Sequence, residues 1–212
     1  MVRFTEEEFT KLKQIMPTYE WGMKIMLNKL NIIHEDLKNH HDSGAIEHII
    51  GRIKDYESIS QKLAKLNIPV TAENAKGYLR DIAGIRIICP FSKDVYLLAN
   101  TLKAMPGITV IDEKDFINSP KPSGYRSYHL ITEVPVFHSG KTDGVVVEIQ
   151  IRTEAMNFWA TMEHKARYKY HQHIPQHLSE EFVLIADKIA ELDERMHLLH
   201  EIISLINEDT KT

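Results

Sequence analysis

V-V-V-E-I-Q-I-R-T-E-A-M-N-F-W-A-T-M-E-H, residues 145–164, sets polar side chains at every second position of an otherwise apolar strand. Successive side chains of a strand point to opposite faces, so Glu148, Gln150 and Arg152 share one face while Val147, Ile149 and Ile151 share the other. A carboxylate, an amide and a guanidinium therefore line one wall. Thr153 follows as a helix cap, and the helix it opens carries Asn157, Glu163 and His164. Strand and helix together can present polar groups to one pocket. The alternation also fits a half-buried strand whose polar face is merely solvated.

Working outward, the α/β centre starts with a helical stretch expected over Ala45 to Leu66, with a short helix from Thr71. Gly84 to Phe91 reads as a buried strand, Ser92 as the cap of a helix running to Met105, and Ile108 to Asp112 as a second strand. Tyr125 to Val134 and Gly144 to Arg152 read as two strands joined by a Gly-containing turn. The order β-α-β-β-β-α predicts an α/β sandwich on a mixed sheet. Long amphipathic helices flank it. At the N-terminal end Pro17 is expected to close a first short helix, after which Tyr19, Met23, Met26, Leu30, Ile33 and Leu37 follow seam spacing. Near the other end Phe182, Ile185, Ile189, Leu192, Met196, Leu199, Ile203 and Ile206 repeat it. Such stripes serve intramolecular packing or self-association. The expected boundaries are a helical extension over 1–44, the α/β domain over 45–175 and a C-terminal amphipathic helix over 176–212.

A chain of 212 residues can bury one sizeable core. Its formal net charge of -4 gives no global attraction to nucleic acid or acidic membranes, so a polyanion needs a local basic patch. The single cysteine, Cys89, has no internal disulfide partner. No stretch is apolar enough to span a membrane and the first residues lack the pattern of a signal peptide, so a cytoplasmic location is expected.

Asp81 stands just before a strand and Arg86 within it. A carboxylate at such an edge suits Mg²⁺, which takes one or two protein carboxylates and completes its shell with substrate phosphates. Glu148 is the candidate second ligand, or the base that takes a proton from a hydroxyl nucleophile. Lys121-Pro-Ser-Gly-Tyr125-Arg-Ser-Tyr-His129 groups cations and rings around a glycine, and Tyr125, Ser127 and His129 are expected on one face, a nucleotide-like pocket or a plain hairpin strand. Lys54, Ser58 and Lys62 recur every four residues, so they are expected on one helical face able to grip a polyphosphate or simply solvated. His40-His41-Asp42 imitates a metal dyad without supporting ligands. His171, His173 and His177 fit no common zinc spacing.

Five blocks then align in order: G-R-I-K at 51–54, R-D-I-A-G-I-R-I-I-C at 80–89, K-P-S-G-Y-R-S-Y-H at 121–129, V-E-I-Q-I-R-T at 147–153 and A-M-N-F-W-A-T-M-E-H at 155–164. Together they resemble the small alarmone synthetases, single-domain members of the Rel/Spo group of GTP pyrophosphokinases. The resemblance implies a nucleotidyltransferase-like fold in which Asp81 and Glu148 hold Mg²⁺ and Arg52 and Arg86 sandwich the adenine of ATP. It places Lys54, Ser58 and Lys62 on the ATP phosphates. On the GDP or GTP side it implies that Tyr125 stacks on guanine and Asn157 reads its edge, while Lys121 and His129 contact phosphates and Gln150, Arg152 and Glu163 complete the site. Lys114 stands where other branches carry arginine, and with the Ser119-Pro-Lys-Pro122 loop it looks more like the RelP-type branch than the RelQ-type.

The implied reaction is attack of the acceptor's 3′-hydroxyl on the β-phosphorus of ATP, with AMP leaving. A homotetramer, and single-stranded RNA or an alarmone as regulator, are partners the resemblance implies. The segment before the domain is too short for the hydrolase domain of larger relatives, so alarmone hydrolysis is not expected. The rivals are a non-catalytic nucleotide or single-stranded RNA binder of the same fold, and a nucleotidyltransferase acting on a nucleic-acid end. Two acids in the pocket argue against the first, and modest basic content against the second.

Overall fold

The computed structural model describes residues 3–40, 44–169 and 174–209. Its centre is a five-stranded sheet made by β1 (His48–Ile53), β2 (Ala83–Cys89), β3 (Thr109–Asp115), β4 (Tyr128–His138) and β5 (Lys141–Thr153). The strand order is β1-β2-β5-β4-β3, with β2 parallel to β5 and every other pairing antiparallel. The helices are α1 (Glu6–His40), α2 (Tyr56–Lys65), α3 (Ala72–Tyr78), α4 (Ser92–Ala104), α5 (Glu154–Lys169) and α6 (Gln176–Asp209). This is the mixed sheet with flanking helices that the element order predicted.

The alternation of β5 divides the sheet into two faces. Val145, Val147, Ile149 and Ile151 are buried with Ile85, Ile87 and Leu130 in the main core, against Leu12, Met26 and Leu30 of α1 and Leu98 and Leu102 of α4. The N-terminal stripe is thus spent inside the molecule. Cys89 lies in the same core, fully buried, and burial pushes its thiol far above the ordinary range. The opposite face keeps Glu148 and Gln150 only partly covered.

Three expectations are corrected. Pro17 does not end a helix: α1 runs through it. The lost backbone bond and ring clash of an internal proline cost about 3 kcal/mol, and the burial of Leu12, Met16, Tyr19 and Met26 on either side of it holds the helix together. The stretch from Ala45 is not helical throughout; His48–Ile53 is the edge strand β1, paired antiparallel with β2. Ile49 and Ile53 share the four-residue spacing of Ile59 and Leu63, so local periodicity could not separate the two states, and pairing with β2 decided. The helix after Cys89 starts one residue earlier than a Ser92 cap requires: the Asp94 carboxylate accepts from the N–H of Phe91.

At the C-terminal end the seam residues Ile185, Leu192, Met196, Leu199, Ile203 and Ile206 are exposed. The helix docks through two other seam residues, Phe182 and Ile189, and through Ala186, which join Trp159, Ala160 and Tyr125 in a second, smaller cluster. The Thr153 hydroxyl donates to Asp193 at 2.6 Å, and the same oxygen accepts from the N–H of Met156 to cap α5. No helix among the described residues is long and apolar enough to cross a membrane.

Helix α1 presses on β5 at Gly22, where an added Cβ would lie 2.6 Å from Cγ1 of Val145. Helix propensity alone would make Gly22→Ala stabilising by about 1 kcal/mol. An overpacking cost of about 1–3 kcal/mol should cancel or exceed that gain, leaving a net loss of up to about 2 kcal/mol read from the urea midpoint. A midpoint above wild type would show that the two elements are not in close contact there.

Candidate active site

Register across the sheet assembles the site. Arg52, Gly84, Glu148 and Ile131 form one row of directly paired residues, and Ile50, Arg86, Gln150, His129 and Lys114 form the next. Paired residues project to the same face, so all five strands deliver these groups to one surface. Gly84 is the gap in the first row: a Cβ there would meet only the Arg52 carbonyl oxygen, at 3.9 Å, leaving the floor open between Arg52 and Glu148. Asp81, Arg52, Arg86, Glu148 and Gln150 line one cleft above that floor.

Glu148 closes a ring of hydrogen bonds. Gln150 Nε2 donates to its Oε2 at 3.0 Å, and one Arg152 nitrogen donates to Gln150 Oε1 at 2.7 Å and to the Tyr125 hydroxyl at 2.6 Å. That hydroxyl lies 2.8 Å from Nε2 of His129, whose Nδ1 is 3.2 Å from Oε1 of Glu148. One assignment of protons satisfies every link: Tyr125 donates to Nε2, and Nδ1–H donates to an ionised Glu148. Burial raises the affinity of Glu148 for a proton, but the bonds from His129 and Gln150 outweigh it and hold the carboxyl below its ordinary value.

Asp81 sits at the other end of the cleft. Its Oδ2 accepts from Lys54 at 2.8 Å and from Lys62 at 2.7 Å. Burial again works against ionisation and the two ammonium groups overcome it, so the carboxyl lies below its ordinary value. Lys54 stands at the end of β1, ahead of the Asp55 cap, and does not share a helical face with Ser58 and Lys62 as the spacing suggested. The lysines converge all the same, from strand and helix. Ser58 is tied to Asp55 through both its N–H and its hydroxyl, at 2.7 Å each.

On the far side of the ring, Lys121 Nζ lies 4.9 Å from the Tyr125 ring centre and 4.6 Å from that of Phe116, which also meets the His129 ring edge-on at 5.2 Å. Phe116 escaped the sequence reading; an aromatic residue at the mouth of the proline- and glycine-containing loop was the available signal. Burial, with the neighbouring cations Lys114, Arg152 and Lys62, holds the Lys121 ammonium below its ordinary value. Ser127, expected beside Tyr125 and His129, is fully buried and donates to the Ile151 carbonyl. Lys114 occupies the outer end of its row, paired with Asp112 at 3.4 Å. Asn157 faces inward from α5 with a buried Oδ1, and Glu163 follows further along the helix, partly covered.

Asp81 Oδ1, Arg86 Nε, Arg152 Nε and Asn157 Oδ1 are buried polar atoms lacking a hydrogen-bond partner among the described residues. Each such atom costs about 1–3 kcal/mol; Asp81 and Arg86 line the cleft, where a ligand would complete their bonding. Among the described residues no three His, Cys, Asp or Glu side chains converge to hold a metal by themselves. Asp81 and Glu148 do fit Mg²⁺, which needs few protein carboxylates when phosphate oxygens supply the rest. His177 is exposed on α6, while His171, His173, His41 and Asp42 lie outside the described residues.

Two acids in a cationic cleft on a mixed sheet define a site for moving phosphoryl groups between nucleotides. Residues 51–173 match the family described as a region found in RelA / SpoT proteins. The GTP pyrophosphokinase YwaC of Bacillus subtilis is 40% identical over 184 residues, 87% of this chain and 88% of the relative. YjbM of the same organism, also a GTP pyrophosphokinase, is 38% identical over 82% of this chain and 80% of its own length. Among solved structures, small alarmone synthetase 1 from Bacillus subtilis bound to its product pppGpp superposes with a TM-score of 0.85 at 34% identity, covering 92% of this chain and 99% of that one. Small alarmone synthetase 2 from the same organism gives 0.81 at 39% identity, over 89% and 97%. This chain belongs to the RelA/SpoT family.

Proposed function

We propose that this chain is a GTP pyrophosphokinase that makes (p)ppGpp by moving pyrophosphate from ATP to the 3′-hydroxyl of GDP or GTP, releasing AMP. Family membership and relatives of this activity matching over most of both chains support the reading. The observation that carries it is the place of Glu148. It lies between the Arg52, Arg86 and Asp81 group on one side and the His129 and Tyr125 group on the other, where an acceptor hydroxyl and a donor phosphate would meet.

In this reading Arg52 and Arg86 hold the adenine, and Lys54 and Lys62 leave Asp81 for the ATP phosphates. Tyr125 stacks on guanine beside Lys121, Asn157 offers its bare Oδ1 to the base, and Arg152 turns its unpartnered Nε to the acceptor. Glu148, kept ionised by His129 and Gln150, accepts the proton of the 3′-hydroxyl. Asp81 and Glu148 would hold Mg²⁺, which supplies neutralisation of the charge developing on the transferred phosphates. Fixed positions and fixed charges suffice for phosphoryl transfer, and the cleft offers both.

Lys114 and the Ser119–Pro122 loop support a RelP-type assignment. The exposed apolar seam of α6 supports a homotetramer, and a cytoplasmic setting follows from the substrates. Light scattering at working concentration should return a mass above that of one 24.6 kDa chain; a monomer would refute the assembly.

With ATP labelled at the γ-phosphorus, Mg²⁺ and GDP or GTP, label should pass to the guanosine nucleotide with one AMP formed per transfer, and chelation should stop it. Guanosine nucleotide or RNA bound without transfer would support the binding-module alternative. Glu148→Gln should bind both nucleotides and lose about 10²–10⁴ in turnover; normal turnover would remove Glu148 from the role of base. Tyr125→Ala should raise the acceptor KM about tenfold or more, the worth of one stacked base. An unchanged acceptor KM would end the stacking assignment.

A further inference from the structure

The loop from Lys121 to Arg126 presents Tyr125, yet little inside the loop fixes it. Its internal bonds are Lys121 N–H to the Tyr125 carbonyl at 3.1 Å and Gly124 N–H to the Lys121 carbonyl at 2.8 Å, with Gly124 at a φ of +88°. The Tyr125 hydroxyl is held by Arg152 and His129, and the loop backbone is supported from outside by α6. A Cβ on Gly124 would lie 2.7 Å from the Ala186 Cβ and 3.3 Å from the Val183 Cα, so the loop backbone rests directly on the helix. Arg126, mostly buried, pairs with Asp187 at 3.0 Å and donates from its other terminal nitrogen to the Gly124 carbonyl at 3.4 Å. Asp187 thereby reaches the loop backbone through one guanidinium. Tyr125 packs against the cluster of Trp159, Ala160 and Ala186, and the Trp159 indole N–H donates to the Phe182 carbonyl, which holds α6 in place on α5.

We infer that Asp187 and Ala186 of α6 are positioning residues for the guanosine nucleotide: they hold the 121–126 loop in the form that aims Tyr125 into the site. The inference rests on the acceptor reading of Tyr125 given above. Neither residue touches the cleft, so both act through Gly124, Tyr125 and Arg126. Their effect should fall on one substrate. The ATP half is built on Arg52, Lys54, Lys62, Asp81 and Arg86, and none of these meets α6 in the contacts described.

The test is a steady-state comparison of wild type with Asp187→Ala and Asp187→Glu, varying each nucleotide at saturation of the other. Asp187→Ala should raise the acceptor KM about fivefold or more, the worth of one charge-assisted hydrogen bond, with the ATP KM and kcat within about twofold of wild type. Asp187→Glu should restore most of the acceptor KM. A merely structural role would lower the active fraction and leave both KM values alone. That result, or a parallel rise in both, would overturn the inference.

Calorimetric titration of GDP, without ATP, separates this inference from the proposed reaction. Wild type that binds GDP but transfers nothing, with weaker GDP binding in Asp187→Ala, would overturn the transferase reading and keep the positioning role. Wild type that neither transfers nor binds GDP would overturn both. Ala186→Val, which enlarges the surface under Gly124, should also weaken GDP binding while leaving ATP binding unchanged; unaltered GDP affinity in that variant counts against the inference.

Discussion

The hydrogen-bonded ring through Glu148, Gln150, Arg152, Tyr125 and His129 is the constraint on which the rest of the site depends. Three of its members come from alternate positions of β5, one from β4 and one from the loop before it. The ring closes only if β4 and β5 pair in the observed register, with His129 opposite Gln150. A slip of one residue would turn Glu148, Gln150 and Arg152 into the apolar core and bring Val147, Ile149 and Ile151 to the surface. Burial of those three aliphatic side chains therefore enforces the geometry of the polar ones. The core places the chemistry, although no core residue takes part in it.

A second constraint acts at Asp81. Its charge is balanced by Lys54 and Lys62, which a buried carboxylate needs. The same two ammonium groups are the natural partners of a triphosphate. In the proposed reaction the lysines would pass from the carboxylate to phosphate, so that neither ammonium group is left bare. The chain as a whole is acidic, at -4, so attraction for a polyanion would have to be local, through groups such as Arg52 and Arg86 that line the cleft with the two carboxylates.

How far the sequence announced this can be judged element by element. The face shared by Glu148, Gln150 and Arg152 was legible because strand alternation is a local rule, and so was the helix opening at Thr153. The edge strand β1 was not. Its isoleucines carry a spacing that helix and strand both accept, and the choice was made by β2, some thirty residues downstream in the chain. Pro17 misled for the converse reason: a local breaker was overruled by packing on both of its sides. On α6 only Phe182 and Ile189 of the regular stripe reach the domain and the rest of it is left exposed, while Ala186, Asp187 and Asp193, which no hydrophobic pattern selects, complete the contact. Ring closure lay out of reach because it depends on His129 and Tyr125 meeting residues across the sheet. The shared face of the β5 polar residues could be read, but not the bonds that join it to His129 and Tyr125.

Cys89 sits on the core side of β2, while Gly84 and Arg86 line the cleft from the other side of the same strand. It is the only cysteine, with no measurable exposure and a thiol held in its protonated, unreactive form. Peroxide or an electrophilic stress compound thus finds no sulfhydryl to modify on the native fold.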